Sequence, residues 1–318
     1  MYVGLDVHKK HTWATAIDGS GKIVREEKFP SSGDGLLDFV RSLSKEDKVV
    51  MEASSTWTHI YDLLTDRGIE VCLAHPLQTK AIASAKIKTD RISAEILAQL
   101  LRADLIPIAY VPPKEIRELR TVTRYRACLV KLQTQLKNQV HAILARNGID
   151  HEFSDLFGRA GMKFLLDLQF SLSDMDWTIL LSSITALMHI SAEIEKISKH
   201  IASLVKEKEE VKLLMTIPGI DYYSATLILA EIADVKRFVS YKQLCSYADL
   251  VPSVQQSVSS RRYGRITKQW SRWLRRILVQ AVQHLVKRPG RLKDFYLRIA
   301  RAKGSKVAKV AVARKLLR

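Results

Sequence analysis

Cysteine is scarce in this chain: Cys72, Cys128 and Cys245 are all it has in 318 residues, and they lie far apart with no Cys-x-x-Cys pair. Three scattered thiols exclude a disulfide framework and a thiolate metal site, and they fit a reducing, intracellular setting. No secretory leader is expected, because the opening "MYVGLDVHKK" reads as a strand. Nor is a membrane span. The most apolar window, "WTILLSSITALMHISAEI", carries Ser, Thr, His and Glu and runs on into charged heptads, as an amphipathic helix does. Low-complexity tracts are missing too. At 47% hydrophobic residues and a mean hydropathy of −0.05, the composition is that of a folded chain of two or three modest domains.

One absence is local. Residues 261–318 hold 19 Lys/Arg and a single acid, Asp294, whereas the first 260 residues hold 32 of each sign. The whole net charge of +18 therefore lies in the last 58 residues. A solvated charged face is the common reason for a charge run. Eighteen uncompensated charges interleaved with Tyr263, Trp270, Trp273, Phe295 and Tyr296 exceed what such a face needs. They point to a polyanion, with nucleic acid first.

The first hundred residues alternate in the order βββαβαβα, from the strands "YVGLDV", "HTWATAI" and "KIVREEKF" to a long helix expected from Gln78 to Leu101. That order is the one of a ribonuclease-H-like α/β layer, here residues 1–109. Residues 110–209 read as an α-helical, coiled-coil-like connector. Pro112-Pro113 open a helix that closes at Gly148, and Leu187, Ile190, Ile194, Ile197, Ile201 and Leu204 repeat at heptad spacing. The stripe fits a dimer seam, one side of a helical hairpin or a plain bundle core. Residues 210–318 read as a mostly α-helical C-terminal domain with a serine-rich loop and basic helices. Its "IPGI" turn has the form that can hold a phosphate, although Asp221 stands where a second glycine is common.

Two constellations carry chemistry. Asp6 lies mid-strand among apolar neighbours, where a carboxylate needs a charge partner or a metal. Glu52 ends another strand and Asp90 lies on the long helix; in a ribonuclease-H-like layer the three converge. Clustered carboxylates of this kind suit Mg²⁺ and in-line phosphoryl transfer. Singly, each is better read as a surface or capping acid. The second constellation is the loop 253–260, with Ser253, Ser257, Ser259 and Ser260 beside Arg261 and Arg262. Serines in a polar turn are usually turn chemistry, but a serine attacking phosphate needs adjacent cations of this kind.

"YVGLDVHKK", "MEASSTW", "KTDRISAEILAQLL", "YVPPKEIRELR", "LKNQVHAILARNGI", "IPGI", "LCSYADLVPS" and "YGRITKQWSRWLRR" occur in that order. The series resembles the DEDD-type, Piv/MooV-like insertion-sequence transposases (insertion-sequence family one-ten). The resemblance implies a RuvC-like N-terminal domain with four acids, a helical connector and a C-terminal transposase domain with a nucleophilic serine. It also implies a cytoplasmic, nucleoid-associated prokaryotic recombinase of double-stranded DNA. Such a recombinase is guided by a non-coding bridge RNA and works as a homodimer or homotetramer through a covalent 5′-phosphoserine. By this resemblance the acids match at Asp6, Glu52 and Asp90, holding Mg²⁺, and the serine falls on Ser257. Arg261, Arg262, Arg265, Lys268, Arg272, Arg275 and Arg276 are the expected nucleic-acid contacts.

The sequence departs from that pattern in several places. The family motif "KTD", two residues, then Asp has Ser93 as its fourth member here; i and i+3 share a helix face, so Ser93 takes the position of the missing acid. Val258 and Trp270 stand where glycine is usual, and relatives usually continue in helix beyond "VAVARKLLR". Three functions are compatible: the serine recombinase, a nucleic-acid binder that has lost catalysis, and a RuvC-like nuclease that uses water.

Overall fold

A computed structural model describes residues 1–83, 89–257, 260–267 and 269–318, with the backbone alone for 254–257, 260, 261 and 263. The chain divides into two compact units, Met1–Val111 and Pro112–Arg318.

Unit 1 is a mixed α/β layer. In chain order it runs β1 (Tyr2–Val7), β2 (His11–Ile17), β3 (Ile23–Pro30), α1 (Asp34–Ser42), β4 (Lys48–Glu52), α2 (Trp57–Asp66), β5 (Glu70–Ala74), α3 (Pro76–Ile82) and α4 (Asp90–Arg102). The strands form one sheet in the order β3-β2-β1-β4-β5. β1 to β3 are antiparallel neighbours, whereas β4 and β5 extend the sheet in parallel from β1. Alternation along β1 separates packing from chemistry. Val3, Leu5 and Val7 point into a core with Phe39, Val40 and Leu64. Gly4 and Asp6 point to the opposite face, where α4 lies. A Cβ on Gly4 would stand 2.0 Å from the Ala94 carbonyl oxygen, so the missing side chain lets α4 lie directly on β1.

One expected element is corrected. Instead of a single helix from Gln78 to Leu101, α3 ends at Ile82, Ala83 is extended (φ −133°), and α4 starts afresh at Asp90. Thr89 causes the restart. It adopts extended geometry (φ −125°) and its side-chain oxygen accepts the Ile92 N–H, an N-cap that cannot occur inside a continuous helix.

Unit 2 is mostly helical: α5 (Lys114–Arg146), α6 (Arg159–Asp167), α7 (Asp174–Val205), α8 (Glu209–Met215), α9 (Tyr222–Ile232), α10 (Tyr241–Tyr247), β6 (Pro252–Ser257), β7 (Ser260–Ile266), α11 (Arg272–Leu285), α12 (Arg291–Lys303) and α13 (Ser305–Leu316). The double proline opens α5, and Gly148, at φ 65°, follows its end. α5 and α7 pack as a helical hairpin, with Leu187 and Ile201 of the heptad stripe buried. Gln133 Nε2 donates to Ser191 Oγ (2.9 Å) and Arg126 Nε to Ser198 Oγ (2.7 Å), one heptad apart. By length and composition α7 could cross a membrane. In unit 2, its Leu180 and Ile184 belong to one core and its Val205 to another. That second core joins Leu119 and Val205 to Leu227, Leu250, Leu274 and Val282, spanning both sides of residue 210.

The expected serine loop is also corrected. Residues 252–257 and 260–266 pair as an antiparallel ribbon, with Ser257 opposite Ser260. Val254, Tyr263 and Ile266 give the stretch enough β-forming character to pair.

Candidate functional site

The site in unit 1 is built by strand ends. Leu5 of β1 and Met51 of β4 are partners in parallel register, so the next residues, Asp6, one short of the end of β1, and Glu52, the last of β4, follow side by side on neighbouring strands. The Thr89 cap sets Asp90 in the first turn of α4, and Ser93 follows one turn on, its N–H bonded to the Thr89 carbonyl (2.9 Å). Asp6, Glu52, Asp90 and Ser93 line one cleft of about 470 Å³. The four positions named from the sequence therefore come together.

A fifth residue, His8, was not named. Its Nε2 lies 3.4 Å from Asp6 Oδ1 and 3.2 Å from Asp90 Oδ1. The turn after β1 is held by the His8 N–H on the His11 carbonyl (3.0 Å) and by Ser31 Oγ on the His8 carbonyl (2.7 Å). The sequence did contain a signal. Asp6 and His8 are two apart at a strand end, and a period of two puts them on one face.

This donor set fits a divalent ion. One ligand atom each from Asp6, His8 and Asp90 lie within 4.8 Å of one another. An octahedral ion with bonds of about 2.1 Å has adjacent donors roughly 3 Å apart, close to the two His8 separations. Carboxylate and imidazole together suit Mn²⁺ and its neighbours at least as well as Mg²⁺.

In unit 2, Ser257 ends β6; its side chain and that of Arg261 lie outside the described residues, as do Val258, Ser259 and Lys268 altogether. Arg262 and Arg265 are exposed on β7. Arg272 is exposed, its guanidinium 4.8 Å from the Trp273 ring centre. Arg276 is exposed and shares a polar cleft with Arg126, Asp221 and Tyr223. Burial pushes the Tyr223 phenol up, opposed by Arg126 and Arg276. Asp221 N-caps α9 by accepting the Ser224 N–H (2.8 Å), which puts a carboxylate where a phosphate would bind at the "IPGI" turn.

Arg275 has a different role from its neighbours. It ion-pairs with Asp249, which is fully buried and also accepts the Thr267 hydroxyl (2.8 Å). A buried carboxylate requires such a partner, so Arg275 is committed to the fold.

A second buried acid, Glu231, lies at the end of α9. Arg124 grips it with two bonds (2.7 and 3.0 Å) and Ser271 Oγ donates to it (2.8 Å). Arg120 and Tyr247 donate to its backbone carbonyl at 2.9 and 3.1 Å. Ser271 in turn caps α11 by accepting the Leu274 N–H (3.1 Å), so Glu231 anchors the helix that follows the ribbon.

Residues 3–147 match the DEDD transposase family of IS110 elements, described as "Transposase", and residues 211–297 match the "Transposase IS116/IS110/IS902 family". The transposase for insertion sequence element IS1111A of Coxiella burnetii is 24% identical over 324 residues, covering 98% of this chain and 86% of that one. The transposase for IS1328 of Yersinia enterocolitica is 24% identical over 279 residues (85% and 81%). The transposase for IS1533 of Leptospira borgpetersenii is 26% identical over 263 residues (78% and 75%). The acidic cleft lies in the first matched segment and the basic ribbon in the second, in chain order: this chain belongs to the IS110/IS116 family of transposases.

Proposed function

We propose that the chain is a DNA transposase that mobilises an insertion sequence by metal-assisted phosphoryl transfer with Ser257 as nucleophile. The observation that carries this reading is the convergence of Asp6, Glu52, Asp90 and Ser93, with His8, on one cleft. The strand order β3-β2-β1-β4-β5, with the acids at the ends of β1 and β4, supports a RuvC-like, ribonuclease-H-like unit.

Asp6, Glu52, Asp90 and His8 would hold Mg²⁺ or Mn²⁺, His8 supplying a donor where Ser93 has replaced a carboxylate. A bound divalent ion would neutralise charge building up on the phosphate oxygens. Ser257 Oγ attacks the phosphorus, an Oγ–P bond forms, and the P–O3′ bond breaks. The serine proton passes to a base, and the departing 3′ oxygen takes up a proton, leaving a 5′-phosphoserine and a free 3′-hydroxyl. Arg261, Arg262, Arg265, Lys268, Arg272 and Arg276 neutralise phosphates of DNA and of a non-coding guide RNA.

Exchange of two duplexes requires paired active sites, hence a homodimer or homotetramer working in the cytoplasm on the nucleoid. Ser93 favours one second reading, a binder without catalysis.

Excision tests the proposal. In cells carrying the element and its flanking non-coding sequence, expression of the chain should yield a sealed donor junction detectable by amplification. Asp90→Asn should abolish it. A junction that forms equally well with Asp90→Asn would refute the role of the cleft.

A further inference from the structure

Unit 2 contains a cavity of about 990 Å³ that, Arg265 apart, the preceding chemistry does not use. Its walls come from α12, α13 and the β6–β7 ribbon. The floor is apolar, with Leu250, Phe295 and Val310. Among the described residues the lining includes six cations, Arg265, Arg314, Lys315 and Arg318 among them, and no acid. None of the six has a carboxylate partner among the described residues. Two of them cover aromatic faces: Lys315 Nζ is 4.5 Å from the Phe295 ring centre, and the Arg318 guanidinium is 5.6 Å from that of Tyr241.

An occupant must satisfy both parts. Inorganic phosphate would use the cations and leave the floor empty. Duplex DNA presents phosphates, but its bases are stacked inside and cannot reach Phe295. An unpaired strand offers both, since its bases have free apolar faces and its phosphates match the cationic rim. The cavity lies at the upper end of the usual range of about 300–1,000 Å³ for ligand pockets, enough for a short run of nucleotides.

We propose that this cavity binds an unpaired stretch of nucleic acid, bases on the Phe295–Val310 floor and phosphates on the rim. Pro252 and Gly264–Ile266 form one wall, so the strand would run beside the ribbon that bears Ser257. The site would take a strand opened at the exchange point or an unpaired guide segment, whose shared chemistry is the exposed base. This inference rests on the reading of the chain as a nucleic-acid-processing transposase.

Fluorescence anisotropy of the full chain with a 2-aminopurine-labelled single-stranded DNA, the same sequence as RNA, and the DNA duplex tests it. Val310→Glu puts a negative charge on the floor and should weaken single-strand binding about tenfold or more, with duplex affinity changed less than about twofold. If Val310→Glu fails to fold, the exposed pair Arg314→Gln and Lys315→Gln should show the same preference. Quenching of 2-aminopurine on binding should be lost in Phe295→Ala. The DNA and RNA arms identify which strand is the better occupant. Equal losses for duplex and single strand would overturn the cavity and leave the transposase reading standing. Binding of anionic lipid vesicles without single-strand binding would overturn it as well. If neither duplex nor single strand binds the natural chain, both readings fail.

Discussion

Glu231→Ala should lower the stability of the chain by about 3 kcal/mol, the lower end of the range for breaking a buried ion pair. Glu231 is fully buried, and its loss strands the Arg124 fork and removes the acceptor of Ser271. The Arg124 side chain is 41% exposed, so water takes over part of its solvation and the upper end is not reached. For a unit of this size the drop corresponds to roughly 6–12 °C in Tm, readable by scanning calorimetry of the intact chain. Glu231→Gln keeps an acceptor for Ser271 but no charge for Arg124, and its loss should be smaller. A Tm unchanged by both variants would mean that the network does not anchor α11.

The metal centre gives the second large effect. Mn²⁺ titrated into the chain and followed by electron paramagnetic resonance should bind at one strong site, and pulsed spectra should show ¹⁴N coupling from a directly ligated imidazole. His8→Ala should remove the coupling and weaken Mn²⁺ binding about 10- to 100-fold, on the scale seen when a ligand's surroundings are lost. Asp6→Asn should be at least as damaging, because it removes a charged donor next to His8. Ser93→Asp should strengthen binding by restoring a carboxylate to the cleft. Strong Mn²⁺ binding without nitrogen coupling would remove His8 from the ligand set and leave the carboxylates. No binding at all would remove the metal centre.

Much of unit 1 was legible because its signals are local. The alternation in "YVGLDV", "HTWATAI" and "KIVREEKF" and the turn "DGSGK" mark the strands and the β2–β3 hairpin, and the parallel pairing of β1 with β4 brings Asp6 beside Glu52. Asp90 and Ser93 could be paired because i and i+3 share a helix face in any helix. What escaped depends on partners distant in sequence. The break between Ile82 and Asp90 hinges on one threonine whose capping geometry competes with helical propensity. The pairing of residues 252–257 with 260–266 was hidden by serines that favour turns when strand pairing does not intervene. Arg275 looks like its basic neighbours until the fold buries Asp249 against it. Glu231 had a usable signal, a single acid in the apolar helix "YYSATLILAEI", which demands a partner that the sequence does not name.

The most direct measurement is a denaturing gel of the chain incubated with its flanking non-coding RNA, labelled donor and target DNA, and Mg²⁺ or Mn²⁺. Serine attack predicts a protein–DNA adduct that survives denaturation, is absent with Ser257→Ala, and increases with Ser93→Asp. Cleaved DNA with no adduct, or an adduct that persists in Ser257→Ala, would contradict the account. The first would point to hydrolysis by water, the second to another nucleophile.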